Sequence, residues 1–70
     1  MKEVMIKDEF IKLGQAIKLA GLVDSGVEAK EVIQDGKVKV NGEVEVQRGK
    51  KLYNEFIVEY NGESFKVISK

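Results

Sequence analysis

The sequence predicts an α+β fold in which two short helices pack on one face of a small, mostly antiparallel sheet. Three observations carry this. Apolar residues at Phe10, Leu13, Ile17 and Ala20 recur at helical spacing. A second, better-marked helix follows Ser25. The rest of the chain alternates apolar and polar residues around two Asn-Gly pairs, Asn41-Gly42 and Asn61-Gly62, the strongest short-range sign of a hairpin.

Taken in order, Val4 to Ile6 reads as a short strand. The next segment has two readings that periodicity alone leaves open. Either the helix runs from Phe10 to Ala20, or Phe10 to Leu13 is extended and the helix begins near Gly14; in both, Gly21 ends it. Ser25 and Glu28 form a capping box, the hydroxyl serving the Glu28 amide while the carboxylate reaches back, so the second helix begins at Gly26. Ala29, Val32 and Ile33 face the core, Lys30 and Gln34 point elsewhere, and Gly36 stops the helix. Lys37 to Val40 and Glu43 to Val46 are period-2 strands. A two-residue loop would pair Val40 with Glu43, so the pattern predicts a three-residue, bulged connection with Gly42 left-handed, matching Val with Val. Phe56 to Tyr60 and Glu63 to Ile68 pair Val58 with Phe65 and Phe56 with Val67 across a tight two-residue loop at Asn61-Gly62.

The chain has 70 residues, 43% of them apolar and 34% charged, which suits one folded domain spanning 1–70 and not a disordered tract. Folding at this size buries roughly 60% of the surface of the unfolded chain, so a single small core must suffice. The absence of Cys and His excludes disulfides, thiolate or imidazole metal sites and the common nucleophile–base pairs. Glu3, Asp8 and Glu9 interrupt the amino-terminal stretch, so neither a signal peptide nor a membrane span is expected, and the expected location is the cytoplasm. The carboxylates are scattered without a companion set, and the glycines do not form a phosphate-cradling loop. No catalytic activity, metal or cofactor is expected. Net charge is zero but uneven: −2 over residues 1–36, +3 over 37–52 and −1 over 53–70.

The stretch Ser25 to Gly42, SGVEAKEVIQDGKVKVNG, resembles the core signature of the S4 RNA-binding domain, a Ser-capped helix leading through Gly into Val-x-Val-Asn-Gly. Lys12-Leu13-Gly14-Gln15, Lys18-Leu19-Ala20-Gly21-Leu22 and Arg48-Gly49-Lys50-Lys51-Leu52 extend the likeness to the small bacterial stand-alone S4-domain proteins of the YaaA/YbcJ-like group. The resemblance implies an S4-like (αL) fold and non-catalytic binding of structured RNA, ribosomal RNA being the usual target class, through a basic face formed by the second helix, the hairpin that follows it and the loop 48–51. The setting it implies is the ribosome or its assembly. Many S4 domains carry Arg after the capping Ser, where this chain has Gly26, and Gly-Asp after the basic loop, where it has Asn54-Glu55. Small stand-alone members also resemble this chain in having Gly at the first position.

The candidate RNA contacts are Lys12, Lys30, Lys37, Lys39, Arg48, Lys50 and Lys51. Arg48 offers a planar fork for phosphate oxygens or an exposed base, with Lys50 and Lys51 in the same loop, although a merely solvated loop would hold the same residues. Lys37 and Lys39 lie opposite Val38 and Val40, where Glu43 and Glu45 compete for them. Lys18 and Gln15 are secondary candidates, and Asn41 is expected to serve its own turn. Phe10, Phe56 and Phe65 fall at core positions; Tyr53 either packs on the sheet or stacks on a base. The competing function is a protein-interaction module that retains the fold without RNA affinity, which zero net charge and Gly26 favour. About four neutralised phosphates would give RNA binding a logarithmic salt slope of about −3 to −4.

Overall fold

In the computed structural model, which describes residues 1–69, the elements in chain order are β1 (Lys2–Ile6), β2 (Ile11–Lys12), α1 (Leu13–Leu19), α2 (Gly26–Gln34), β3 (Val38–Val40), β4 (Glu43–Val44), β5 (Lys51–Leu52), β6 (Ile57–Tyr60) and β7 (Glu63–Ser69). Five strands form one sheet in the order β1-β7-β6-β3-β4, with β1 and β7 parallel and the other pairs antiparallel. β2 and β5 form a separate antiparallel ribbon. The mixed, mostly antiparallel sheet and two helices agree with the fold expected from the sequence.

Register places the apolar residues of the central strands in one row. Val40 lies opposite Val58 and Val58 opposite Phe65, while Val4 lies opposite Val67. Against this face pack Leu13, Ala16, Ile17 and Ala20 from the first helical segment and Ala29, Val32 and Ile33 from α2, all buried. Phe65 is 0% exposed and among the largest fully buried side chains. No polar or charged residue is buried among the described residues, so hydrophobic burial carries the core without desolvated charges.

The structure decides the first open reading: residues 11 and 12 are extended and the helix begins at Leu13. Ser25 caps α2 as expected, its Oγ accepting from the Glu28 amide at 3.2 Å. The Glu28 carboxylate departs from a standard capping box, accepting from the Asp24 amide at 2.9 Å, one residue before the cap. Gly21 and Gly36 follow the helices with positive φ. At the carboxyl end of α1 the Lys2 ammonium donates to the Ala20 carbonyl, joining β1 to the negative end of the helix dipole.

Three other expectations are corrected. The β3–β4 connection is a two-residue loop, not a bulged one: Val40 pairs with Glu43 and Lys39 with Val44. Asn41 and Gly42 have φ of 52° and 86°, and Asn61 and Gly62 repeat the pattern at 54° and 78°. Positive φ at both central residues is the two-residue hairpin geometry that follows strand twist. The Val-to-Val matching that argued for a bulge has no force because β4 is a two-residue edge strand and Val44 is 56% exposed. Asn41 also does more than shape its turn, since its Oδ1 accepts from the Ile57 amide at 2.9 Å while its own amide donates to the Ile57 carbonyl. The three phenylalanines differ as well. Phe65 is core, Phe56 is half-buried against the core, and Phe10 is half-buried in an aromatic row outside it.

Replacing Asn41 and Asn61 separately by Ala separates turn geometry from the ladder bond. Both lose a residue tolerant of positive φ, but only Asn41 bridges to β6, so Asn41→Ala is expected to cost about 1 kcal/mol more than Asn61→Ala in urea unfolding. Equal costs would show that the Asn41–Ile57 bond contributes nothing net.

Candidate nucleic-acid interface

The first turn of an α-helix has amides without partners inside the helix. At α1 the capping position is Lys12, whose side chain has no acceptor, and no side-chain cap forms. The loop before β5 supplies the acceptors. The Leu13 amide donates to the Lys50 carbonyl at 2.8 Å and the Gly14 amide to the Arg48 carbonyl at 2.9 Å. The loop is closed on itself by the Lys50 amide donating to the Gln47 carbonyl at 3.1 Å.

Gly14 permits this approach. A Cβ at that position would lie 3.5 Å from the Arg48 Cβ and 3.6 Å from its carbonyl oxygen, so one carbon fits and a larger group meets the loop. Because the loop is tied by carbonyls, the Arg48 side chain is spared for the surface. It lines a depression together with Lys12, Gly14, Gln15, Lys18, Gly26, Ala29 and Gly49. Three cations border this depression and, among the described residues, no carboxylate does. On the α2 side the small residues Gly26 and Ala29 leave the floor open, and a Cβ at Gly26 would meet nothing within 4 Å.

The other sequence candidates are divided among different surfaces. Lys51 lies directly opposite Lys12 on the β2–β5 ribbon, with its Nζ 4.8 Å from the centroid of the Phe10 ring. Lys30 is exposed on α2, one turn beyond Gly26 and so beside the depression's α2 rim. Lys50 points to a depression shared with Glu43 and Glu45 of the β3–β4 hairpin. Lys37 and Lys39 line one with Glu59 and Glu63, on the sheet face turned away from the helices. Lys18 and Gln15, secondary in the sequence, stand at the groove itself. The signal for them was helical spacing: Gly14 and Lys18 are four apart and Gln15 and Lys18 three apart, on one face of α1.

Tyr53 is 38% exposed, its ring centroid 5.9 Å from that of Phe10 and 5.8 Å from that of Phe56. Among the described residues no group of three or more Asp and Glu is placed to hold a metal ion, and no helix is long and apolar enough to cross a membrane.

The geometry of the loop makes a test of Gly14. Gly14→Ala should keep the fold and raise its stability by up to about 1 kcal/mol, as Ala replaces Gly inside a helix. Gly14→Leu should displace the Arg48 loop, seen as amide shift changes confined to residues 47–51 and the start of α1.

Comparison with known proteins places this geometry. The chain is 42% identical over 67 residues to RlbA of Bacillus subtilis (strain 168), described as a probable ribosome maturation protein, with 94% of each chain covered. It is 35% identical over 63 residues to YbcJ of Escherichia coli (strain K12), with 90% of each covered. The solution structure of Escherichia coli YbcJ, described as revealing an αL motif involved in RNA binding, superposes with a TM-score of 0.75 at 33% identity, covering 97% of this chain and 87% of that one. The 30S ribosomal protein S4e from Thermoplasma acidophilum gives a TM-score of 0.65 at 26% identity, covering 86% of this chain and 32% of that one. The S4 domain model matches residues 4–68, which include both helices, the Arg48 loop and the whole groove, and the chain belongs to the S4 domain family.

Proposed function

We propose that this protein binds structured RNA, ribosomal RNA in a maturing ribosome, without catalysing a reaction and in the cytoplasm. The observation that carries the reading is the groove bordered by Lys12, Lys18 and Arg48 with no carboxylate on its rim. Phosphate contacts supply most of the affinity of an RNA-binding surface, and Arg adds a planar fork that matches phosphate oxygens with two parallel bonds. A depression between helix and loop presents these groups to a folded backbone by shape, as expected where an A-form helix offers little base information to side chains. The description of RlbA as a probable ribosome maturation protein and of the YbcJ motif as involved in RNA binding support the same reading.

Of the seven sequence candidates, Lys12 and Arg48 are the central contacts, joined by Lys18. Lys30 and Lys51 extend the surface on either side. Lys50, Lys37 and Lys39 contribute least, because none of them lines the groove and each shares its own surface with two glutamates.

Fluorescence anisotropy with labelled ribosomal RNA fragments at two salt concentrations tests this. Arg48→Glu combined with Lys18→Glu should weaken binding at least about tenfold and reduce the salt slope by about two. Lys37→Glu with Lys39→Glu should change affinity less than about threefold, a control of equal charge change. The melting temperature should survive the first pair, because Arg48 supports α1 through its backbone carbonyl and not its side chain. Absence of binding by the unmodified protein at low salt would overturn the proposal in favour of a protein-interaction module.

A further inference from the structure

We infer that the outer face of the β2–β5 ribbon is a subsite for one unpaired nucleotide of the bound RNA, its phosphate between Lys12 and Lys51 and its base on Tyr53. The inference rests on the RNA reading above and deepens it by naming what lies beside the groove.

The argument begins with the ribbon's two faces. Ile11 lies opposite Leu52, and these side chains turn inward: Leu52 is fully buried and Ile11 packs against the core. Lys12 lies opposite Lys51, and alternation turns this pair outward, where both are exposed. Directly opposed side chains start roughly 5 Å apart at their Cβ atoms, and like charges so placed repel. One phosphate can accept from both ammonium groups and convert the repulsion into two attractions.

Aromatic surface adjoins the pair. Lys51 sits over the Phe10 ring, Phe10 packs on Tyr53 in a tilted arrangement, and Tyr53 meets Phe56 edge to face. Phe10 and Phe56 are half-buried and hold Tyr53 in place, while Tyr53 keeps more than a third of its surface open. Paired cations beside an open, braced aromatic ring match the alternation of phosphate and base along a single strand, and base–aromatic stacking tolerates any base. A helical RNA segment hides its base faces, so the occupant is an unpaired nucleotide flanking the structured part.

Lys12 belongs to both surfaces, lining the groove and facing Lys51, which makes the path continuous. Asp8 and Glu9 share the neighbouring depression with Phe10, Ile11, Lys12 and Gln15. These carboxylates steer a polyanion away from the segment before β2 and across Lys51 toward Tyr53.

The test compares a fluorescein-labelled blunt RNA hairpin with the same hairpin carrying a short oligo-uridine tail. For the unmodified protein the tail should tighten binding about tenfold. Tyr53→Leu should abolish that gain while leaving affinity for the blunt hairpin within about twofold. Tyr53→Trp should preserve the gain; because the chain has no other Trp, its emission reports the site directly and should be quenched by the tailed RNA and not by the blunt one. If both RNAs bind equally well, or if Tyr53→Leu weakens both alike, the subsite is overturned and the groove reading stands. Binding of neither RNA would overturn the groove reading and the subsite with it. Thermal melting of each variant, and the conservative Trp variant, keep a folding defect from passing as loss of the subsite.

Discussion

The two hydrogen bonds from the Leu13 and Gly14 amides to the Lys50 and Arg48 carbonyls are the constraint on which the rest of the structure depends. A seven-residue helix is far below the length at which helices persist in water, and α1 has no side-chain cap at its amino end. Packing of Leu13, Ala16 and Ile17 and the carbonyls of a distant loop make up the deficit. The same bonds fix the loop's position. Folding of the helix and construction of the groove are therefore one event, and Arg48 takes part in it through its backbone carbonyl.

That division between backbone and side chain explains how a protein of zero net charge can present a basic site. Lys12, Lys18 and Arg48 gather where no carboxylate lines the rim, while Lys37 and Lys39 share the opposite sheet face with Glu59 and Glu63. The shortest extent of the protein is 18 Å, about twice the Debye length of about 8 Å at physiological ionic strength. Charges on the far face are thus largely screened from the groove. What a polyanion meets is the local arrangement, and the sum over the chain says little about it.

The sequence was legible where burial enforces a pattern and illegible where it does not. The two-residue Asn61-Gly62 loop and the Val58–Phe65 pair could be read because β6 and β7 both have neighbours on either side and a slip would expel Phe65 from the core, whereas the expected Phe56–Val67 pair is replaced by Val67 bonding to both Glu55 and Phe56. The Asn41-Gly42 hairpin looked similar but misled. Its second strand lies at the sheet edge with both residues exposed, so alternating valines there answer to no buried face. The start of α1 stayed open because its cap comes from residues far along the chain, and local pattern cannot show that. The site divides in the same way. Arg48, Lys50 and Lys51 could be recognised as a basic cluster, but Arg48 and Gly49 form a turn and Lys51 begins β5, so the three side chains leave the chain in different directions. Arg48 goes to the groove, Lys50 toward the hairpin glutamates and Lys51 to the ribbon's outer face.

The opposed lysines of the ribbon show how such a surface is compatible with a small domain. Repulsion between exposed like charges across a strand pair is worth about 0.5 kcal/mol, whereas full burial of a leucine contributes about 1.5–3 kcal/mol. Leu52, fully buried on the inner face, outweighs the repulsion on the outer face, and the contact of Lys51 with Phe10 offsets part of the remainder. The ribbon can therefore keep two directly opposed cations on its outer face without threatening the fold. A fold stabilised from its inner face has this freedom on its outer one, and here the freedom is spent on charge continuous with the groove.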